Sequence, residues 1–273
     1  MNDELSMADY LELVQVIRLR YGYDFSGYAQ ASLKRRMVRF MGHSGMPSVF
    51  ELKYRLVNDE AFFNSMVQYL TVNVTEMFRD PAFYRTLKED ILPKLAAYPN
   101  IRIWHAGCST GEEVYSMAIL LKEAGLLDRT RIYATDLNPA NLEKAASGVV
   151  QLEYMKEYTA NYIQSGGIGD FSDYYSARYD RVILQKELRK NITFFQHNLA
   201  ADQVFNEFQL ICCRNVFIYF NRELQNHVLK LFYDSLSPWG FLALGIKESL
   251  RFTEMRNAYE TVHGAHKIYR RKR

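Results

Sequence analysis

From residue 101 onward the chain repeats one pattern: a short apolar run, a turn, then a segment with helical spacing. "IRIWHA" leads into "GEEVYSMAILLKEAG", "TRIYATD" into "NPANLEKAASG", and "FQLICC" into "NRELQNHVLKLFYDSLSP" followed by "GFLALG". Nearly continuous apolar runs suit strands buried on both faces, and helices between strands carry the chain back so that the strands lie parallel. The pattern therefore predicts an α/β fold built on a doubly wound, Rossmann-like parallel sheet. "ITFFQHN" supplies a further strand, and "TVHGAHKIYRR" resembles a closing hairpin around a glycine. Asn138-Pro139 and Gly148 mark one helix at both ends, because proline suits the first turn and glycine the left-handed cap.

The first 75 residues read differently, as helices only. Tyr10, Leu13, Val14, Ile17 and Tyr21 recur at helical spacing. "YAQASLKRRMVRFMGHSG", "PSVFELKYRLVN" and "DEAFFNSMVQYL" follow as three more short helices, which must be stabilised by packing on one another. The expected organisation is an all-α domain over 1–75, a linker over 76–100, and an α/β domain over 101–273. Residues 149–190 interrupt the strand–helix alternation and are expected to form a small β-insert.

Composition narrows the function classes. A chain of 273 residues with 48% hydrophobic and 24% charged residues is an ordinary globular protein. Its formal net charge of +3 does not call for a nucleic-acid partner. Three cysteines without a CxxC pair and six histidines without HExxH support neither a disulfide framework nor a metal site. "MNDELSMADYLELV" carries acids where a secretory signal needs basic residues. No apolar run approaches the roughly 20 residues of a membrane span. A monomeric protein in the cytoplasm, without membrane insertion, is expected.

In open α/β sheets ligands bind beyond the carboxyl ends of the strands. Those ends carry Gly107, Ser109, Gly111, Glu112 and Glu113 after the first strand, Asp136 after the second, Asn198 and Leu199 after the third, and Arg214, Asn215 and Tyr219 after the fourth. Asp136 suits a ribose, since a carboxylate accepts hydroxyl hydrogen bonds; nicotinamide cofactors and other nucleosides satisfy that feature equally. The turn "GCSTGEE" is not G-x-G-x-x-G, so dinucleotide binding loses its main support. Glu112 and Glu113 would repel a pyrophosphate and welcome a cation. S-adenosyl-L-methionine combines a ribose, an adenine and a positive end. Two acids in a first helical turn also satisfy the helix dipole without any ligand.

"TVNVTEMFRDP", "IWHAGCSTGEEVYSMAI", "ATDLNPANLEKA", "HNLA" and "CRNVFIYF" together resemble the successive motifs of the CheR family, chemotaxis receptor methyltransferases. The resemblance runs from about residue 10 to the C-terminus. It implies a class I methyltransferase domain with a small β-subdomain, preceded by an all-α domain, and esterification of receptor glutamates with S-adenosyl-L-methionine. It implies that Asn73, Thr75 and Arg79 reach the cofactor from the linker. Glu113 then faces the methionyl end, Asp136 the ribose, and Asn198 and Leu199 the adenine. Arg79, Arg214, Asn215 and Tyr219 surround the methyl-transfer centre, with Gly107 in the cofactor turn. The basic helix bearing Lys34, Arg35, Arg36 and Arg39 would face the acidic helical bundle of a chemoreceptor's cytoplasmic domain.

The chemistry agrees with a carboxylate acceptor. A glutamate is already ionised at neutral pH, with a reference pKa of about 4.3. It needs no base, so His105 and His197 are expected to line or pack the site rather than catalyse. Arg214 or Arg79 would orient the acceptor and Tyr219 would hydrogen-bond one of its oxygens. Two features depart from the family pattern: "GIKESLRF" stands where many members have something nearer "GHSENF", and His105 and Cys108 replace small residues. Lys247 and Arg251 of the first are expected near the site. A methyltransferase with a different acceptor and a non-catalytic cofactor-binding adaptor stay open as alternatives.

Overall fold

The computed structural model describes residues 5–71 and 75–273. Helices α1 (Met7–Tyr21), α2 (Gln30–His43), α3 (Val49–Asn58) and α4 (Glu60–Leu70) come first. Ser6, Ser48 and Asp59 cap three of them, each side-chain oxygen accepting a first-turn backbone N–H. Their inward faces share one core, with Leu13, Ile17, Met37, Leu52, Leu56 and Met66 buried together.

The segment expected as a linker is largely helical. It holds α5 (Pro81–Thr86), a π-helical turn over Leu87–Ile91 and α6 (Leu92–Leu95). The wide turn ends two residues before Pro93, which has no N–H to continue an α-helical ladder. Phe83, Tyr84, Leu87, Ile91 and Leu95 are buried in the main core.

The α/β region continues with β1 (Ile101–Ala106), α7 (Glu112–Glu123), β2 (Thr130–Asp136) and α8 (Pro139–Ser147). Residues 149–190 contain β3 (Val149–Gln151), α9 (Met155–Gln164), β4 (Tyr175–Arg178), β5 (Arg181–Leu184) and α10 (Lys186–Arg189). Its strands form a separate antiparallel sheet in the order β3-β5-β4. The ten-residue helix α9, with Met155, Tyr158 and Tyr162 buried, goes beyond a purely β insert. The chain then runs through β6 (Ile192–Gln196), β7 (Phe208–Cys213), α11 (Arg222–Ser235), β8 (Leu236–Leu244), β9 (Tyr259–His263) and β10 (Ile268–Arg271).

The main sheet has the order β6-β2-β1-β7-β8-β10-β9. The first five strands of that order are mutually parallel. The closing hairpin adds β10 and β9 antiparallel, so the sheet is mixed rather than wholly parallel. After β1 the chain builds outward through β2 and β6, then returns to the other side of β1 to lay down β7 and β8. That reversal opens a crevice at the carboxyl ends of β1 and β7. His105 lies opposite Cys212 in the register, which places the turn after β1 beside Arg214.

Candidate cofactor and active site

The turn after β1 is built to bring backbone close to a ligand. Gly107 has φ +79°, and a Cβ there would lie 2.5 Å from Val216 Cγ2. Gly111, at φ +93°, starts α7 and approaches Ala145 so closely that a Cβ would sit 2.9 Å from its methyl group. Only glycine meets both demands without strain. The crevice above this turn is a cavity of about 260 Å³. Of the residues expected at the site, Thr75, Arg79, Gly107, Glu113, Asp136, Asn198, Leu199, Arg214, Asn215 and Tyr219 all line it. Asn73 lies outside the described residues.

The two acids of the turn separate. Glu113 faces the cavity, whereas Glu112 does not line it and accepts a hydrogen bond from Thr110 Oγ1 at 2.7 Å. Glu113 Oε1 pairs with His105 Nδ1 at 2.9 Å and Oε2 with Arg214 at 3.0 Å. Burial alone would push the Glu113 carboxyl up, but the His105 hydrogen bond and the Arg214 charge hold it below its ordinary value. Two of about four lone-pair positions are thus used, leaving two for a ligand ammonium.

Asp136 is more committed than a free ribose acceptor. Its Oδ2 accepts from Ser109 N at 2.8 Å, and its Oδ1 from Asn138 N at 2.9 Å and Asn141 Nδ2 at 3.3 Å. Most of its lone-pair positions are thus engaged within the fold. Burial holds its carboxyl above the usual range despite these donors.

Arg214 is not placed to grip an acceptor. Its side chain is 1% exposed and its two terminal nitrogens are engaged by Glu113, Asp80 Oδ2 (2.6 Å) and the Arg79 carbonyl (3.1 Å). Its guanidinium stacks on Phe83, 4.0 Å from the ring centre. Arg214 therefore locks α5, α7 and β7 together around Glu113. His105, Glu113 and Cys212 offer ligand atoms within 4.8 Å of one another, but the Arg214 cation already sits on Glu113 and opposes a metal ion there.

Arg36 was expected on the outer docking face with Arg35 and Arg39. Those two are exposed, but Arg36 turns inward, lines the cavity and lies 4.9 Å from the centre of the Tyr219 ring. It donates to the Leu70 carbonyl at 2.8 Å. The helical sequence held the signal: Leu33, Met37 and Phe40 are buried, and position 36 borders that face. Phe25, Tyr28, Leu33 and Leu70 complete the wall that the helical region contributes. Backbone hydrogen bonds from Ala29 to Tyr219 (2.7 Å) and from Asn221 to Gly27 (2.8 Å) clamp this wall to the loop after β7.

Glu248 was missed. It is buried, and its carboxylate accepts backbone N–H groups from Gly245 (2.6 Å), Asn215 (3.1 Å) and Ile218 (3.3 Å). It holds the loop bearing Asn215 and Tyr219 at left-handed Asn215 (φ 63°). Lys247 and Arg251, from the same stretch, are exposed and do not line the cavity.

An apolar wall beside two carboxylates, one of them with open lone-pair positions, fits an adenosine carrying a cationic tail. The family model "CheR methyltransferase, SAM binding domain" matches residues 73–268, and "CheR methyltransferase, all-alpha domain" matches 8–71. The chain belongs to the CheR methyltransferase family. The CheR chain is 47% identical over 259 residues to the putative methyltransferase Cher3 of Pseudomonas putida, covering 95% of each. It is 32% identical over 244 residues to a chemotaxis protein methyltransferase of Listeria innocua, covering 89% of this chain and 90% of that one. Against the chemotaxis protein methyltransferase of Escherichia coli it is 30% identical over 265 residues, covering 92% and 88%. Its cofactor is S-adenosyl-L-methionine, and it is a methyltransferase dependent on that cofactor. Among the described residues no helix is long and apolar enough to cross a membrane.

Proposed function

We propose that this CheR methyltransferase esterifies glutamate side chains on the acidic helical cytoplasmic bundle of a chemoreceptor, giving glutamyl methyl esters. The observation that carries this is Arg36. It is a cation in the cavity wall, stacked beside Tyr219, and among the described residues it has no carboxylate partner. A carboxylate acceptor supplies that partner. Relatives named chemotaxis protein methyltransferases support a chemotaxis protein as the substrate.

Bound S-adenosyl-L-methionine supplies an electrophilic methyl group on a cationic sulfur. The protein's part is orientation and exclusion of water. Glu113 holds the ammonium of the methionyl end, Asp136 takes a ribose hydroxyl, and the Asn198–Leu199 segment flanks the adenine. Arg36 and the Tyr219 hydroxyl engage one acceptor oxygen and leave the other free to attack, with Arg79 adding positive potential. No base is required. His197 is unsuited to be one: burial lowers its pKa, and Nε2 is turned to the Gln203 carbonyl at 3.3 Å. Outside the cavity, Arg35 and Arg39 present the charge that draws an acidic bundle, with an attraction that weakens in salt. Peptide mapping by mass spectrometry of a receptor cytoplasmic fragment after incubation with enzyme and cofactor tests the acceptor. Methyl groups on glutamates are expected; methyl groups confined to lysine, arginine or hydroxyl side chains would overturn it.

A further inference from the structure

His105 stands at the end of β1, 1% exposed at its side chain and outside the cavity lining, with Nδ1 2.9 Å from Glu113 Oε1. Its other ring nitrogen is buried among the described atoms without a partner. A carboxylate only accepts, so the hydrogen of this contact belongs to Nδ1. Arg214 does not fix this oxygen, since it holds Glu113 through Oε2. Arginine and carboxylate favour a two-pronged pairing, yet Arg214 gives one prong to Glu113 and the other to Asp80. With the second prong of Arg214 filled by Asp80 and the Arg79 carbonyl, the His105 N–H is the contact that fixes the direction of Oε1.

We infer that His105 is a positioning residue for the cofactor, fixing Glu113 Oε1 so that the carboxylate faces the ammonium of the methionyl end. The inference rests on Glu113 receiving that ammonium. His105 touches no ligand itself; it acts through Glu113. The role is confined to one end of the ligand, and two ligands separate that end from the rest. S-adenosylhomocysteine carries the amino-acid tail, and 5′-methylthioadenosine keeps the adenosine and sulfur but lacks it.

Calorimetric titration of the full chain with both ligands is the test, on wild type, His105→Leu, His105→Asn and Glu113→Gln. His105→Leu is expected to weaken S-adenosylhomocysteine at least about tenfold, the scale of one hydrogen bond to a charged group, while methylthioadenosine binds as before. His105→Asn places an amide N–H near the position of Nδ1 and is expected to recover most of the loss. Equal weakening of both ligands by both histidine variants would make His105 a structural residue, and unchanged S-adenosylhomocysteine affinity in His105→Leu would remove any role; either overturns the inference. Glu113→Gln separates the two levels. If it lowers S-adenosylhomocysteine selectively and His105→Leu does not, only the role of His105 fails. If it changes neither ligand, the assignment of Glu113 fails and the inference with it.

Discussion

Arg214→Ala should destabilise the whole protein before it changes chemistry. Arg214 is 1% exposed and faces two carboxylates, Glu113 at 17% and Asp80 at 28% side-chain exposure. Three hydrogen bonds from the charged guanidinium, at roughly 1.5–3 kcal/mol each, set an upper bound near 9 kcal/mol. The loss is smaller than that, because Glu113 keeps its His105 donor and Asp80 is open enough to hydrate. About 3 kcal/mol remains, the low end for breaking a buried pair. For a chain of this size that lowers the thermal midpoint by roughly 6–12 °C. Glu113 also loses one of its two anchors, so affinity for S-adenosylhomocysteine should fall about tenfold, or 1.4 kcal/mol. Scanning calorimetry and ligand titration on the same preparation read both effects. A variant that melts within roughly 2 °C of wild type and binds the ligand normally, yet transfers methyl groups slowly, would refute this. Arg214 would then be gripping the acceptor, as the sequence alone suggests.

Other outcomes follow from the same geometry. Asp136→Ala frees three donors that hold the turn, so it should cost about 2–3 kcal/mol of stability as well as cofactor affinity, read by denaturant unfolding and by titration. Arg36→Ala should slow single-turnover transfer about tenfold or more with cofactor affinity retained, whereas Arg35→Glu with Arg39→Glu should weaken receptor engagement and its salt dependence. In the pH dependence, His197 is held neutral by burial in the fold, so the unfolded chain binds more protons and stability should fall as pH drops through about 6.5 toward its lowered native value. His197→Phe, set against Trp104 and Phe205, should flatten that decline in melting curves taken from neutral to mildly acidic pH.

What the sequence disclosed and what it hid have physical reasons. The strand–turn–helix alternation is a periodic signal, and it led directly to the crevice between β1 and β7 and to the residues at the strand ends. Periodicity says nothing about which oxygen meets which donor. Glu112 and Glu113 look alike in sequence, and only the rotation of α7 sends one into the cavity and the other to Thr110. Arg214 reads as an acceptor clamp until Asp80, 134 positions away, is seen beside it. Glu248 acts through backbone N–H groups, which carry no sequence mark. Helix α9 is legible in principle, since Met155, Tyr158 and Tyr162 repeat at helical spacing. The inward turn of Arg36 was legible too, from its place beside Met37 on α2.

The central claim is that the acceptor is a carboxylate, and the bond formed decides it. A receptor cytoplasmic fragment would be labelled with S-adenosyl-L-methionine carrying an isotopic methyl group, isolated, and exposed to mild alkali. A methyl ester of glutamate is cleaved there and releases the label as volatile methanol, with transfer that needed no group titrating near pH 6.5. Label that stays on the protein through alkali would mean a hydroxyl or amine acceptor in place of a carboxylate, and would contradict the account.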